Sequence, residues 1–298
     1  MRKAAMGVNL VVLFAAIIPI IFDGCKKPSL EQYTPTHLER IMVVGHGGGG
    51  ITKFNQYFPL NSAESVRKTI EGYGADGVEV DVQFTSDLVP VLYHGSDLYE
   101  KTNCKGPVCS KTWAELNPCF YRHNLNAGEG INQAMISLEQ LTNLYNTYPA
   151  NLFLILEAKL ERFCWQPYET IFEFANVLNE EIVKANLPHR IIVEAKDVNF
   201  LNYMRLLNPS LILIYYASGF DSGYPTALAH GYHGFLVHHK NITAEQVKVS
   251  QDAGLWIILF GTRTYDDNVS AIKKSPEIIT SDNIPLTLGL LEKARNKS

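Results

Sequence analysis

The chain has 298 residues, 46% of them hydrophobic and 19% charged, with a formal net charge of −4 at pH 7. That is enough length and apolar content for one large α/β barrel or two small domains with a sizeable core. The slightly acidic balance and the lack of a Lys/Arg run argue against a nucleic-acid partner.

Met1-Arg2-Lys3 is a basic start, and Val8–Ile21 is apolar except for Asn9 and Pro19. The run is short for a membrane span and right for a signal peptide. Cys25 follows Gly24 as the cysteine of a bacterial lipobox would, although Phe22 and Asp23 depart from the commonest pattern. The expectation is a signal peptide over 1–24, a lipid anchor to a membrane at Cys25 and a linker over 25–39. The rest, 40–298, is expected to be a single domain, exported to the periplasm or cell surface. An ordinary secretory signal and an uncleaved anchor are the alternatives.

The first predicted strand, Ile41–Gly45, delivers His46 into a run of four glycines, Gly47–Gly50, whose backbone amides can cradle an anion. A helix over Ala63–Gly72 leads to a strand over Val78–Phe84. On that strand Glu79 and Asp81 share one face, and Val78, Val80 and Val82 take the other. Two carboxylates projecting together repel unless a cation sits between them, which suits a hard-metal site. Val89–Tyr93 reads as a hairpin partner, or as a continuation of the strand after a turn at Ser86-Asp87, and ends at a second histidine, His94. The stretch Gly95–Ser137 lacks periodicity and holds Cys104, Cys109 and Cys119, with Cys164 further on. Export makes two disulfides plausible, and Cys104–Cys109 with Cys119–Cys164 is the expected pairing. A zinc site lacks a CxxC spacing, and buried free thiols are the bland alternative.

A helix over Leu138–Asn146 opens with a capping box at Ser137, and the strand Leu152–Leu156 ends in Glu157 and Lys159 on one face. Strands then follow at Arg190–Val193, Leu211–Tyr215, Gly234–Val237, Trp256–Phe260 and Glu277–Thr280. Helices fall at Tyr168–Lys184, Val198–Leu207, Ala227–His230, Ala244–Ala253 (with a capping box at Thr243), Tyr265–Lys274 and Ile284–Ala294. Eight strands alternating with helices predict a (β/α)₈ TIM barrel with a disulfide-pinned insertion after the second strand. A doubly wound sheet would gather its polar residues at one switch point. Here His46, Asp81, Glu157, Lys159, His238 and Arg263 lie at or just past the ends of different strands. His233, His238 and His239 read either as barrel rim or as substrate contacts.

Gly74–Leu98 (GADGVEVDVQFTSDLVPVLYHGSDL), the first histidine loop, Glu157-Ala158-Lys159 and Glu277–Asp282 together resemble the glycerophosphodiester phosphodiesterase family, over nearly all of the chain after residue 40. The resemblance implies a TIM barrel, a divalent metal (Ca²⁺ or Mg²⁺), and hydrolysis of a small phosphodiester or lipid head-group diester. It also implies that Glu79, Asp81 and Glu157 are metal ligands, that His46 and His94 are an acid/base pair, and that Lys159 is a phosphate contact. Gly47, Asn61, Arg263 and His238 are further candidate substrate contacts. Three positions depart from the family pattern: Gly47 stands where an Arg is usual, Leu60 where an acid is usual, and Gly95 where an Asp is common. Lys53, Arg162 or Arg263 could replace the missing phosphate clamp. A relative that stops at a cyclic phosphate, or a barrel that binds without turnover, is the alternative.

Overall fold

Strands buried on both faces read as unbroken apolar runs, and each of the eight predicted runs overlaps a strand in the computed structural model. Residues 41–51, 58–122, 133–160, 164, 167–187 and 190–295 are described, within a unit spanning Pro35–Ser298. The expected signal peptide, the Cys25 anchor, the linker, Lys53 and Arg162 lie outside the described residues. Among the described residues no helix is long and apolar enough to cross a membrane.

The strands are β1 Met42–Gly45, β2 Gly77–Phe84, β3 Pro90–Leu92, β4 Phe153–Ala158, β5 Arg190–Ala195, β6 Ile212–Tyr216, β7 Gly234–His238, β8 Trp256–Phe260 and β9 Ile278–Ser281. Between them run α1 Ala63–Arg67, which continues as a π turn to Gly72, then α2 Trp113–Leu116, α3 Leu138–Tyr145 and α4 Pro167–Ala185. α5 Val198–Leu207, α6 Phe220–His230, α7 Ala244–Asp252, α8 Tyr265–Ile272 and α9 Ile284–Arg295 complete the set. All strands but β3 pair in parallel in chain order, and β9 pairs back onto β1, Gly45 opposite Ser281. That closure makes a TIM barrel and rules out an open sheet. β3 is the expected hairpin, antiparallel to β2 with Val82 opposite Leu92.

Val78, Val80 and Val82 join the core beneath the helices, together with Leu154, Leu156, Phe174 and Leu178. The alternate residues therefore point into the barrel. Its floor is closed by Phe153 against Trp256, ring centroids 6.2 Å apart. Both predicted capping boxes form, Ser137 with Gln140 and Thr243 with Gln246. α6 begins seven residues before its predicted start. Gly219, Gly223 and Pro225 read as breakers, but a Cβ on Gly223 would meet the Phe235 ring at 2.4 Å, so glycine is what lets this helix lie on β7.

The insertion after β3 has a small core of its own, built from Val91, Tyr93, Leu98, Val108, Leu116, Tyr121 and Met135. Its disulfides correct the expected pairing: they are Cys104–Cys119 and Cys109–Cys164. An antiparallel bridge between Thr102 and Tyr121 lays residue 104 beside residue 119. Cys109 sits in the short turn Val108–Ser110 and reaches the segment after β4, with Cα atoms 5.6 Å apart.

Candidate active site

β1 ends at Gly45, so His46 stands at the C-terminal mouth of the barrel, in the turn His46–Gly48. Because β9 neighbours β1, Asp282 arrives beside it, and His46 Nδ1 lies 2.6 Å from Asp282 Oδ1. That contact fixes the ring and leaves Nε2 directed toward Glu79 Oε2, 3.9 Å away. Gly47 has φ +54°, and its N–H donates to Glu79 Oε2 at 2.8 Å. A Cβ there would lie 3.0 Å from the Leu60 side chain, so Gly47 and Leu60 fit each other. Asn61 donates its amide to Asp81 Oδ2 at 2.7 Å, and its carbonyl accepts from the Asp81 N–H at 2.9 Å.

Glu79 and Asp81 project from β2, Glu157 from the end of β4 and Glu194 from the end of β5. Register places Asp81 opposite Glu157 and Glu157 opposite Glu194. All four acids are at most 5% exposed. The Lys159 ammonium lies 2.9 Å from Asp81 Oδ1 and 2.5 Å from Glu157 Oε1. Glu79, Glu157 and Glu194 each offer a carboxylate oxygen within 4.8 Å of the others, a group that can hold a metal ion. Glu79 Oε1 and Glu194 Oε2 are buried without a hydrogen-bond partner. Hard oxygen donors of this kind suit Ca²⁺ or Mg²⁺.

The electrostatics follow from crowding acids in a dry site. Burial, then the Asp81 charge, pushes the Glu79 carboxyl up to about 8. Burial raises Glu157, and raises Glu194 well above the ordinary carboxylate range. For Asp81, burial is outweighed by Lys159, His94 and Asn61, so its carboxyl is held down. Burial alone would lower His46, but the hydrogen bond to Asp282 and the charges of Glu79 and Asp282 carry it up to about 9.

His94 opens the loop after β3, exposed, and its charge is felt at Asp81. Arg263, after β8, donates from Nε to Asp282 Oδ2 at 3.1 Å. His238 ends β7, edge-on to Phe260 at 5.2 Å and stacked on His239 at 5.0 Å. His46, His238, Phe260, Arg263 and Asp282 line one cavity of about 290 Å³. The structure thus gathers His46, His238 and Arg263 around that cavity, and Asn61, Lys159 and the acids beside it. Gly47 is buried and spends its amide on Glu79 rather than facing the mouth.

Two residues escaped the sequence reading. Glu194 was lost because the predicted strand stopped at Val193, although Ile191–Lys196 repeats the pattern of Leu154–Lys159, three apolar residues and then Glu-Ala-Lys. Asp282 was noted only as part of a motif; its partnership with His46 spans 236 positions and exists only because the barrel closes.

The model of the glycerophosphoryl diester phosphodiesterase family matches residues 54–286. Glycerophosphodiester phosphodiesterase 1 of Mus musculus is 35% identical over 156 residues, covering 51% of this chain and 45% of the relative. The Rattus norvegicus protein of the same name is 26% identical over the same length. The alignment thus spans less than half of these curated relatives. Among solved structures, a glycerophosphodiester phosphodiesterase from Parabacteroides distasonis has a TM-score of 0.71 at 20% identity, over 85% of this chain and 98% of that one. A phosphodiesterase of Oleispira antarctica, in complex with the product sn-glycerol-3-phosphate, has a TM-score of 0.71 at 18% identity, over 85% and 96%. At these identities the structural likeness shows the fold.

Proposed function

Since the chain belongs to the glycerophosphoryl diester phosphodiesterase family, we propose that it hydrolyses glycerophosphodiesters, or related lipid head-group diesters, to glycerol phosphate and an alcohol. The observation that carries this reading is His46, locked by Asp282 at 2.6 Å, beside a buried carboxylate group at the barrel mouth. A lone rim histidine would have neither. Glu79, Asp81 and Glu157 would hold a divalent ion, Ca²⁺ or Mg²⁺, which when bound withdraws charge from the phosphoryl oxygens.

The chain's own residues supply the proton transfers and the positioning. Of His46 and His94, one imidazole takes a proton from the attacking water or a neighbouring substrate hydroxyl. The other returns a proton to the departing alkoxide, and each such transfer is typically worth ~10²–10⁴-fold. Asp282 keeps His46 in one orientation, with Nε2 turned to the site. Asn61 and the Lys159 ammonium hold Asp81 in one orientation at the mouth. Arg263, 61% exposed on its side chain at the cavity, is placed to meet a phosphate or an anionic part of the alcohol. Export and a lipid anchor at Cys25 complete the proposal. Two disulfides favour an oxidising compartment, where such bonds persist.

The test is release of glycerol phosphate from a panel of glycerophosphodiesters with Ca²⁺, with Mg²⁺ and with chelator. Metal-dependent release is expected. Metal binding with no turnover on any diester would overturn the hydrolase and leave a binding barrel; accumulation of a cyclic phosphate would overturn complete hydrolysis.

A further inference from the structure

Glu194 has no part in the proton transfers above. β4 and β5 end in the same tripeptide, Glu157-Ala158-Lys159 and Glu194-Ala195-Lys196, and the two glutamates are register partners. The two copies are used differently. Lys159 turns its ammonium onto Asp81 and Glu157, whereas the Lys196 ammonium lies over the Tyr216 ring, 4.8 Å from its centroid. Strand β5 therefore adds an acid to the site while its own lysine reaches an aromatic ring.

Glu194 is 1% exposed and its Oε2 has no hydrogen-bond partner; the same holds for Glu79 Oε1. Buried polar atoms left without partners are rare, because each loses its hydration and gains nothing in return. Asp81 Oδ1 likewise has no hydrogen-bond partner, but the Lys159 ammonium lies 2.9 Å from it and Asn61 donates to Oδ2. The oxygens on Glu79, Glu157 and Glu194 lie within 4.8 Å of one another. One ion can touch two oxygens only if they are no further apart than twice its metal–oxygen distance. That limit is about 4.6–5.2 Å for Ca²⁺, a range that brackets the 4.8 Å bound. Mg²⁺ takes one or two carboxylates and keeps several waters, whereas Ca²⁺ accepts many oxygens in loose geometry.

Resting on the metal-dependent reading above, we propose that Glu194 is a further carboxylate arm of a calcium site, beside Glu79 and Glu157, and that it sets a preference for calcium over magnesium. The simple alternative is a Glu194 that stays protonated and packs as a neutral side chain.

The experiment is calorimetric titration of the metal-free full chain with Ca²⁺ and with Mg²⁺, without substrate, alongside its thermal midpoint in each metal. Wild type is compared with Glu79→Gln, Glu194→Gln and the shortened but still charged Glu194→Asp. Wild type is expected to bind Ca²⁺ at least tenfold more tightly than Mg²⁺. Both Glu194 variants are expected to lose about 10–100-fold in Ca²⁺ affinity, the scale on which even outer groups of metal sites act, and to lose less for Mg²⁺. Glu194→Gln is also expected to raise the midpoint of the metal-free protein and to cancel its upward shift in Ca²⁺. Wild-type Ca²⁺ affinity in both Glu194 variants, with binding lost in Glu79→Gln, would overturn this inference alone. Equal wild-type affinity for the two metals would overturn the preference. No binding of either metal to wild type would overturn both this inference and the metal-dependent reading.

Discussion

Lys159→Met isolates the ion pair at the centre of the site. The Lys159 ammonium is 2.9 Å from Asp81 Oδ1 and 2.5 Å from Glu157 Oε1, and the residue is 7% exposed. At such distances and an effective dielectric near 20, each contact is worth about 6 kcal/mol before desolvation. Burying the ammonium offsets much of that. Breaking a buried pair by removing one partner nonetheless costs about 3–5 kcal/mol, because the remaining charges stay buried and uncompensated. At about 2–4 °C per kcal/mol for a large domain, the thermal midpoint should fall by roughly 6–20 °C. The deficit has a pH signature. Lys159 is the foremost group holding the Asp81 carboxyl below its ordinary value. Stability from a depressed carboxylate is present above the unfolded pKa, near 4, and is lost as pH falls through the folded value. The gap between wild type and variant should therefore persist from pH 8 down to about 4 and close only below that, as pH falls toward the folded value. Calorimetry in chelator from pH 8 down to pH 3 measures it. A deficit under 2 °C at neutral pH, or one that does not change with pH, would reduce Lys159 to packing and refute the reasoning.

Asp282→Asn removes the first of the interactions that raise His46; its imidazole, followed by NMR in the metal-free protein, should titrate well below about 9, and turnover should fall by ~10²–10⁴-fold. An unmoved midpoint would deny Asp282 its positioning role. Glu277 accepts from the Ile257 N–H at 2.7 Å, and burial raises its carboxyl to about 7. A raised acid contributes stability below its unfolded pKa and loses it as pH rises, here from about 4.5 to 7. Glu277→Gln should flatten that decline in urea-denaturation free energies, and a variant curve parallel to wild type would rule it out. The double change Cys109→Ser and Cys164→Ser opens a loop closed across 55 positions, for a loss of about 4 kcal/mol by loop entropy. A loss below about 1 kcal/mol under oxidising conditions would count against that bond as a brace.

The barrel was legible because its strands are buried on both faces and stay apolar until they reach the mouth, where one polar residue breaks each pattern. That break announced His46, Glu157 and His238 at β1, β4 and β7. Glu194 breaks β5 in the same way, yet one acid after Val193 looks like the start of a loop until the partner strand is known. Helix α6 was mostly hidden because local breaker chemistry argued against it, and the reason for Gly223 lies on another strand, at Phe235. Disulfide pairing was illegible for a similar reason: Cys104 finds Cys119 through the bridge at Thr102 and Tyr121, a contact no spacing rule contains. Dyads made by closure, such as His46 with Asp282, leave no local trace at all.

The two disulfides interleave, since Cys109 lies inside the loop closed by Cys104–Cys119 and Cys164 lies outside it. A cut between Cys104 and Cys109 leaves the pieces joined through the first bridge, and a cut between Cys119 and Cys164 leaves them joined through the second. Between Cys109 and Cys119 both bridges hold. The sequential pairing Cys104–Cys109 with Cys119–Cys164 would have left the middle stretch unsecured, free to part at one peptide bond. From Cys104 to Cys164 the chain is therefore wired twice, once through peptide bonds and once through sulfur. A protease that clips this loop leaves a nicked barrel with β4 and its acid still tethered, and only a reducing gel would reveal the wound.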